Sequence, residues 1–309
     1  MAPRKFVFSF ETGDGKNKKL LGGKGANLCE MTQMGLPVPP GFVISTEACL
    51  TYLGQKKGSG LQPKLMEEIR AAMVELEQKT GKGFGDPKNP LLVSVRSGAA
   101  MSMPGMMDTI LNLGLNDMTV KGLAKSTGNE RFAYDAYRRL IQLFGSVALY
   151  IPDEKFDRVF HEIKEGHKAR VDTELDAKAL KETCEQFSEV IRKETKKPFP
   201  QDPYVQLETA VEAVFGSWMG KRAVDYRREF NITRDMADGT AVNICTMVFG
   251  NMGSDSGTGV AFTRNPGTGE NRLYGEYMIN AQGEDVVAGI RTPKPVSYTH
   301  LTLPTNREV

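Results

Sequence analysis

The stretch that most constrains the fold covers residues 246–266, Thr-Met-Val-Phe-Gly-Asn-Met-Gly-Ser-Asp-Ser-Gly-Thr-Gly-Val-Ala-Phe-Thr-Arg-Asn-Pro. Apolar runs at 241–249 and 260–262 flank four glycines, Gly250, Gly253, Gly257 and Gly259. That composition predicts a hairpin whose tip adopts positive φ and brings backbone close to a ligand. Such a tip can turn several N–H groups toward one anion, and Ser254, Ser256 and Thr258 add hydroxyls. An ordinary flexible hairpin has the same composition, so the stretch alone leaves both readings open. No Gly-Lys-Ser/Thr follows and no helix opens after it, which excludes a Walker loop and a dinucleotide fingerprint.

Two further segments carry anion-binding chemistry. In residues 20–31, Leu-Leu-Gly-Gly-Lys-Gly-Ala-Asn-Leu-Cys-Glu-Met, glycines give way to a helical spacing of Leu28, Met31 and Met34. Lys24 therefore lies near a helix N-terminus, where free N–H groups and the helix dipole favour an anion; a solvated lysine is the plain alternative. Residues 90–99, Pro-Leu-Leu-Val-Ser-Val-Arg-Ser-Gly-Ala, read as a buried strand that delivers Arg96 near its end. A guanidinium fork there suits a phosphate or a carboxylate, and a structural ion pair is the competing reading. A methionine-rich loop follows at 101–110, suited either to irregular packing or to the wall of a site.

The rest of the chain supplies scaffold. Residues 5–10 and 41–45 read as strands, and 47–52 and 65–80 as amphipathic helices. From about 120 to 218 the pattern is mostly helical, with an apolar stripe of Phe132, Tyr134, Tyr137, Leu140, Ile141 and Phe144. Residues 198–203 form the clearest linker. After Gly239 strands resume, including 272–280 and 285–290. His161 and His167 stand in charged surroundings and read as surface residues.

At 309 residues with 40% hydrophobic and 25% charged content, the chain has ample material for a core and for two domains. Its formal charge of +2 gives no global case for nucleic acid. No apolar run approaches the roughly 20 residues that span a bilayer, and the first residues lack a signal-peptide pattern. Cys29, Cys49, Cys184 and Cys245 are scattered without a C-x-x-C, as reduced thiols of a cytoplasmic protein would be. Residues 296–309 read as foreign, because Val-Ser-Tyr-Thr-His-Leu-Thr-Leu-Pro-Thr is the one-frame translation of a transposase-type sequencing adapter. They are set aside, with the expectation that the protein continues past Pro295.

In combination these pieces become specific. The segments 20–31, 91–114, 131–137 and 239–289 make the chain resemble the N-terminal nucleotide-binding region of the pyruvate, phosphate dikinase family. Ser94-Val-Arg-Ser-Gly followed by Ser102-Met-Pro-Gly-Met-Met-Asp-Thr-Ile carries most of that resemblance, which extends over residues 5–295. Phosphoenolpyruvate synthase, a related dikinase, is the alternative within the enzyme class, and a stand-alone nucleotide-binding module the alternative outside it. The resemblance implies an α/β fold of α+β type: an ATP-grasp nucleotide-binding fold, incomplete at its C-terminus, with a helical insert. Residues 1–119 and 201–295 would form its two parts around an insert at 120–200.

The resemblance also implies roles. Lys24 and Arg96 would hold the phosphates of ATP, Gly105 and Met107 would line the pocket, and Thr258 and Gly259 would close over the polyphosphate. Cys245 and Met247 would lie along the adenine and Glu284 would take the ribose. At 245 the family often has glutamine, so cysteine favours a backbone contact there. The family reaction turns ATP, phosphate and pyruvate into AMP, diphosphate and phosphoenolpyruvate through a histidine on a separate swivelling domain. Mg²⁺ ligands are expected downstream, as is assembly of the full-length protein into a homo-oligomer. No Thr-Ser-His sequence occurs in this chain.

Overall fold

The computed structural model describes residues 4–56, 58–287 and 292–295, except for the side chains of Glu284 and Val287. It divides into two compact units between Met247 and Val248. The first is built on a five-stranded sheet in the order β1-β2-β5-β3-β4, from β1 (Val7–Ser9), β2 (Gly41–Ile44), β3 (Val93–Gly98), β4 (Thr109–Leu113) and β5 (Ala241–Thr246). Every pairing in it is antiparallel. Mixed helix and open antiparallel sheet is the α+β arrangement that the sequence predicts.

Side-chain alternation along β5 explains the layers. Ala241, Asn243 and Cys245 face one way and Val242 and Ile244 the other. Helix α1 (Lys18–Gln33) covers the first face, where Phe10, Leu21, Ala26, Cys29, Val43 and Ala241 form a fully buried cluster. Helices α2 (Thr46–Leu53), α3 (Pro63–Thr80) and α8 (Pro203–Ser217) pack against the sheet from the other side. With both faces covered, β2 is buried throughout and β3 exposes one residue, Arg96.

Between β4 and α8 lie α4 (Thr119–Thr127), α5 (Glu130–Leu143), α6 (Asp153–Gly166) and α7 (Ala177–Thr195). Helix α5 is their centre, packed on α4, α7 and β4. Helix α9 (Lys221–Glu229) then leads toward β5. His161 and His167 sit on the surface against Glu165 and Glu182. No helix among the described residues is long and apolar enough to cross a membrane.

The second unit holds a three-stranded sheet, β6 (Gly257–Phe262), β7 (Tyr274–Ile279) and β8 (Lys294–Pro295), with a short helix α10 (Gly283–Val287). Two expectations are corrected here. The glycine-rich stretch is not the tip of a hairpin: β5 pairs with β2 and β3, whereas β6 pairs with β7 along its whole length. Nor do its glycines take positive φ. They allow close approach instead, since a Cβ at Gly250 would lie 2.4 Å from the Ala281 carbonyl and one at Gly259 2.6 Å from that of Glu276. Residues 285–287, expected as the start of a strand, instead belong to the short helix α10. Asp285 accepts the Gln282 N–H at 2.9 Å, a local cap that favours the helical turn. Residues 288–290 and 296–309 lie outside the described residues.

Candidate anion site at the start of α1

Helix α1 is broken at Gly22, whose φ of +68° and ψ of 164° are not helical. Only glycine fits there, because a Cβ would lie 1.7 Å from the Gly98 carbonyl oxygen. The Gly23 N–H donates to the Ala99 carbonyl at 2.9 Å, so the helix restarts against the end of β3. Lys24 is the second residue of this restarted helix. Its ammonium donates to the Ser97 carbonyl at 3.2 Å. Burial first, and the nearby Arg96 charge second, lower its pKa from 10.5 to about 8. The residue as a whole is nonetheless exposed, so its crowded end coexists with an open flank and solvent moderates the shift.

Arg96 is the fourth residue of β3, opposite Thr109 on β4 and Asn243 on β5. Paired residues of an antiparallel ladder share a face, so its side chain leaves the sheet on the α1 side. Among the described residues its guanidinium has neither a carboxylate nor a hydrogen-bond partner, which removes the ion-pair reading within those residues. Two cations thus stand together with no acid to neutralise them, beside a helix start.

One residue that sequence reasoning missed, Asn243, bonds the main chain beside this pair. Asn243 is fully buried and its Nδ2 donates to the Arg96 carbonyl at 3.2 Å. A Cβ at Gly25 would reach 2.8 Å from its Oδ1, and one at Gly98 2.9 Å from its Nδ2. The available signal was a lone polar residue within the apolar run of β5.

The remaining candidates of the first unit lie nearby in sequence or along β5. Gly105 is exposed with φ of +71° and open space where a Cβ would stand, so its turn needs glycine for the backbone and not for room. Met107 is half-buried in the same β3–β4 loop, while Met103 is buried. Asp108 anchors the loop to α9 through Arg222 at 3.1 Å. Cys245 shares the Asn243 face of β5, and Met247, just past its end, is four residues from Asn243, roughly 13 Å along an extended chain. Burial pushes the Cys245 thiol up to about 11 against the pull of Arg96, and its Sγ meets the Pro39 carbonyl at 3.6 Å. It is therefore no nucleophile at neutral pH. The N–H groups of Thr246 and Met247 are taken by the Pro40 and Leu92 carbonyls at 3.0 and 2.9 Å.

In the second unit, Thr258 and Gly259 lie within β6, opposite Met278 and Tyr277. Glu284 falls in α10; its side chain lies outside the described residues. A groove of about 510 Å³ between β1 and α3 competes for attention, but several of its charges are internally engaged. Glu68 accepts the Phe6 and Val7 N–H groups at 2.7 and 3.0 Å, and Lys79 pairs with Glu11 at 2.9 Å. The two cations mark the restart of α1 after Gly22 as the better anion site.

The family described as pyruvate phosphate dikinase, AMP/ATP-binding domain, matches residues 18–72 and 57–308. Among curated proteins, the pyruvate, phosphate dikinase of Entamoeba histolytica is 62% identical over 291 residues, 94% of this chain and 33% of that protein. That of Clostridium symbiosum is 53% identical over 301 residues, 97% of this chain and 34% of that protein. A chloroplastic one from Arabidopsis thaliana is 53% identical over 305 residues, 97% and 31% respectively. The chain spans about a third of the length of these relatives.

Proposed function

Because the chain belongs to the pyruvate phosphate dikinase AMP/ATP-binding domain family, we propose that Lys24 and Arg96 are the groups that hold the ATP phosphates. The observation that supports this is that the Arg96 charge acts on Lys24 beside the restarted helix while, among the described residues, no carboxylate pairs with Arg96. Like charges at close range are unfavourable without an anion, and a polyphosphate supplies one. The restarted helix adds a favourable dipole, the Gly23 N–H being taken by the Ala99 carbonyl. Arg96 offers a planar fork of donors, whereas Lys24 is a compact charge that leaves the Ser97 carbonyl to reach a phosphate oxygen.

Gly105 and Met107 would wall the pocket, and Cys245 and Met247 would lie beside the base. With the Thr246 and Met247 N–H groups engaged, carbonyls are the backbone groups with capacity left for an adenine amino group. For the second unit, resemblance alone supports phosphate contact by Thr258 and Gly259 and ribose contact by Glu284. On the same ground residues 1–119 and 201–295 form an ATP-grasp fold, incomplete at its C-terminus, around the insert at 120–200.

Mg²⁺ accompanies ATP in this reading, yet no group of three or more His, Cys, Asp or Glu side chains that could hold a metal occurs among the described residues. The residues at the cation pair are donors only and do not fit a metal, so no step is routed through one. The reaction of the whole protein would be that of the dikinases: ATP, phosphate and pyruvate to AMP, diphosphate and phosphoenolpyruvate. A phosphohistidine domain and a pyruvate site would be its further partners. This chain contributes positioning and charge stabilisation, the main demands of phosphoryl transfer.

Arg96→Ala tests the assignment. Charged hydrogen bonds are worth about 1.5–3 kcal/mol, so calorimetric titration is expected to show ATP affinity falling at least about tenfold while adenosine affinity holds. Equal ATP affinity in a folded Arg96→Ala chain would remove Arg96 from the site.

A further inference from the structure

Asn243 is an expensive residue in its place. It stands on the central strand β5, flanked by β2 and β3, with no exposure to solvent. Among the described residues its Oδ1 has no hydrogen-bond partner. A buried amide with one half unsatisfied is unfavourable, and an apolar side chain of similar size would avoid that penalty. Stability therefore does not account for it.

Its surroundings do. The amide donates to the Arg96 carbonyl at 3.2 Å, and the Lys24 ammonium donates to the next carbonyl, that of Ser97, at 3.2 Å. Consecutive carbonyls of β3 are thus gripped from two sides. The amide lies between Gly25 of the restarted helix and Gly98 of β3, both lacking the Cβ that would strike it. A Cβ at Gly98 would also come within 3.2 Å of the Lys24 Cβ, so amide, glycines and lysine are packed as one group.

We propose that Asn243 is a positioning residue that fixes the distance between Arg96 and Lys24, and thereby the preference of the site for a polyphosphate. It touches neither phosphate nor base. When Lys24 leaves the Ser97 carbonyl for a phosphate oxygen, the Asn243 amide keeps the Arg96 carbonyl and the strand stays in register. The inference rests on the assignment of Lys24 and Arg96 to the ATP phosphates.

The test uses the full chain and three probes: ATP without metal, inorganic triphosphate and adenosine. Asn243→Leu keeps the volume and removes the amide. It is expected to fold, to bind adenosine as before and to lose about tenfold or more in affinity for ATP and triphosphate, as misplaced groups typically cause. A purely structural role would leave the ratio of ATP to adenosine affinity unchanged, and that result in a folded variant overturns the proposal. Asn243→Ser, too short to reach the Arg96 carbonyl, gives the same reading should leucine not fold. Arg96→Ala run in parallel separates the two ideas. If it weakens triphosphate binding and the Asn243 variants do not, only the positioning role fails. If it has no effect either, the phosphate assignment fails and the positioning role falls with it.

Discussion

The two sheets differ in burial, and the regions around them differ in what particular glycines face. In the five-stranded sheet β2 is wholly buried and β3 exposes Arg96 alone. In the three-stranded sheet, β6 has no buried residue. Around Lys24 three separated glycines, Gly22, Gly25 and Gly98, each stand where a side chain would strike backbone or the Asn243 amide. In the glycine-rich stretch, by contrast, Gly253 faces only the side chain of Asp255 two residues on. Density of glycine therefore did not mark the best-formed anion site. Scarce glycines locked against a pair of unneutralised cations did.

The largest effect expected from this contrast is at Gly22. Alanine there combines a left-handed backbone with a 1.7 Å clash against the Gly98 carbonyl. Strain and overpacking each cost about 1–3 kcal/mol, so chemical denaturation of Gly22→Ala is expected to show a loss of about 3 kcal/mol or more. A variant of undiminished stability would mean that α1 can straighten through Gly22, and the special start of the helix at Lys24 would lose its physical basis.

The next effect is one of pH, and it separates the two cations. Lys24 has its pKa lowered to about 8 in the folded chain, so above that pH the free site loses the lysine charge. Phosphate binds the charged lysine, hence ATP affinity is expected to fall as pH rises above about 8, approaching about tenfold per unit. Stability carries the opposite sign. Between about 8 and 10.5 the unfolded chain holds a proton that the folded one has released, so this group's contribution rises with pH in that window. Titrations from pH 7 to 10 check both. In Lys24→Arg the fall in affinity should disappear; a fall that persists would assign the titration elsewhere.

What the sequence revealed follows from how local each signal is. The strand around Arg96 and the helix start at Lys24 were legible, because alternation, glycines and helical spacing all lie within ten residues of the feature they define. The pairing of β6 with β7 was not. Two apolar runs around a glycine-rich turn have the same local pattern whether they pair with each other or with distant strands. Asn243 escaped for a similar reason: its partner, the Arg96 carbonyl, is 147 residues away. The short helix α10 was read as a strand because its apolar residues satisfy both periods over so few positions. The hydrogen bonds that close the turn, from the Gln282 N–H to Asp285 Oδ2 and from the Asp285 N–H to the Gln282 carbonyl, distinguish them.

The smallest effect is expected at Gly253, and it is the sharpest test of what the dense glycines do. Gly253 does not hold a positive φ, and a Cβ added there meets only the Asp255 carboxylate, at 3.3 Å, the end of a side chain that can turn aside. Alanine also restricts the unfolded chain, which favours folding by about 0.4–1 kcal/mol where the backbone permits it. The two contributions nearly offset, so Gly253→Ala is expected to stay within about 0.5 kcal/mol of the parent in chemical denaturation, the range of ordinary surface changes. The comparison with Gly22→Ala then sets two positions side by side: the same methyl group, one held against backbone and one facing a movable side chain. A loss of more than about 2 kcal/mol at Gly253, the size associated with backbone strain, would show that this glycine is conformationally required. The positive-φ nest suggested by the sequence would then be restored to consideration.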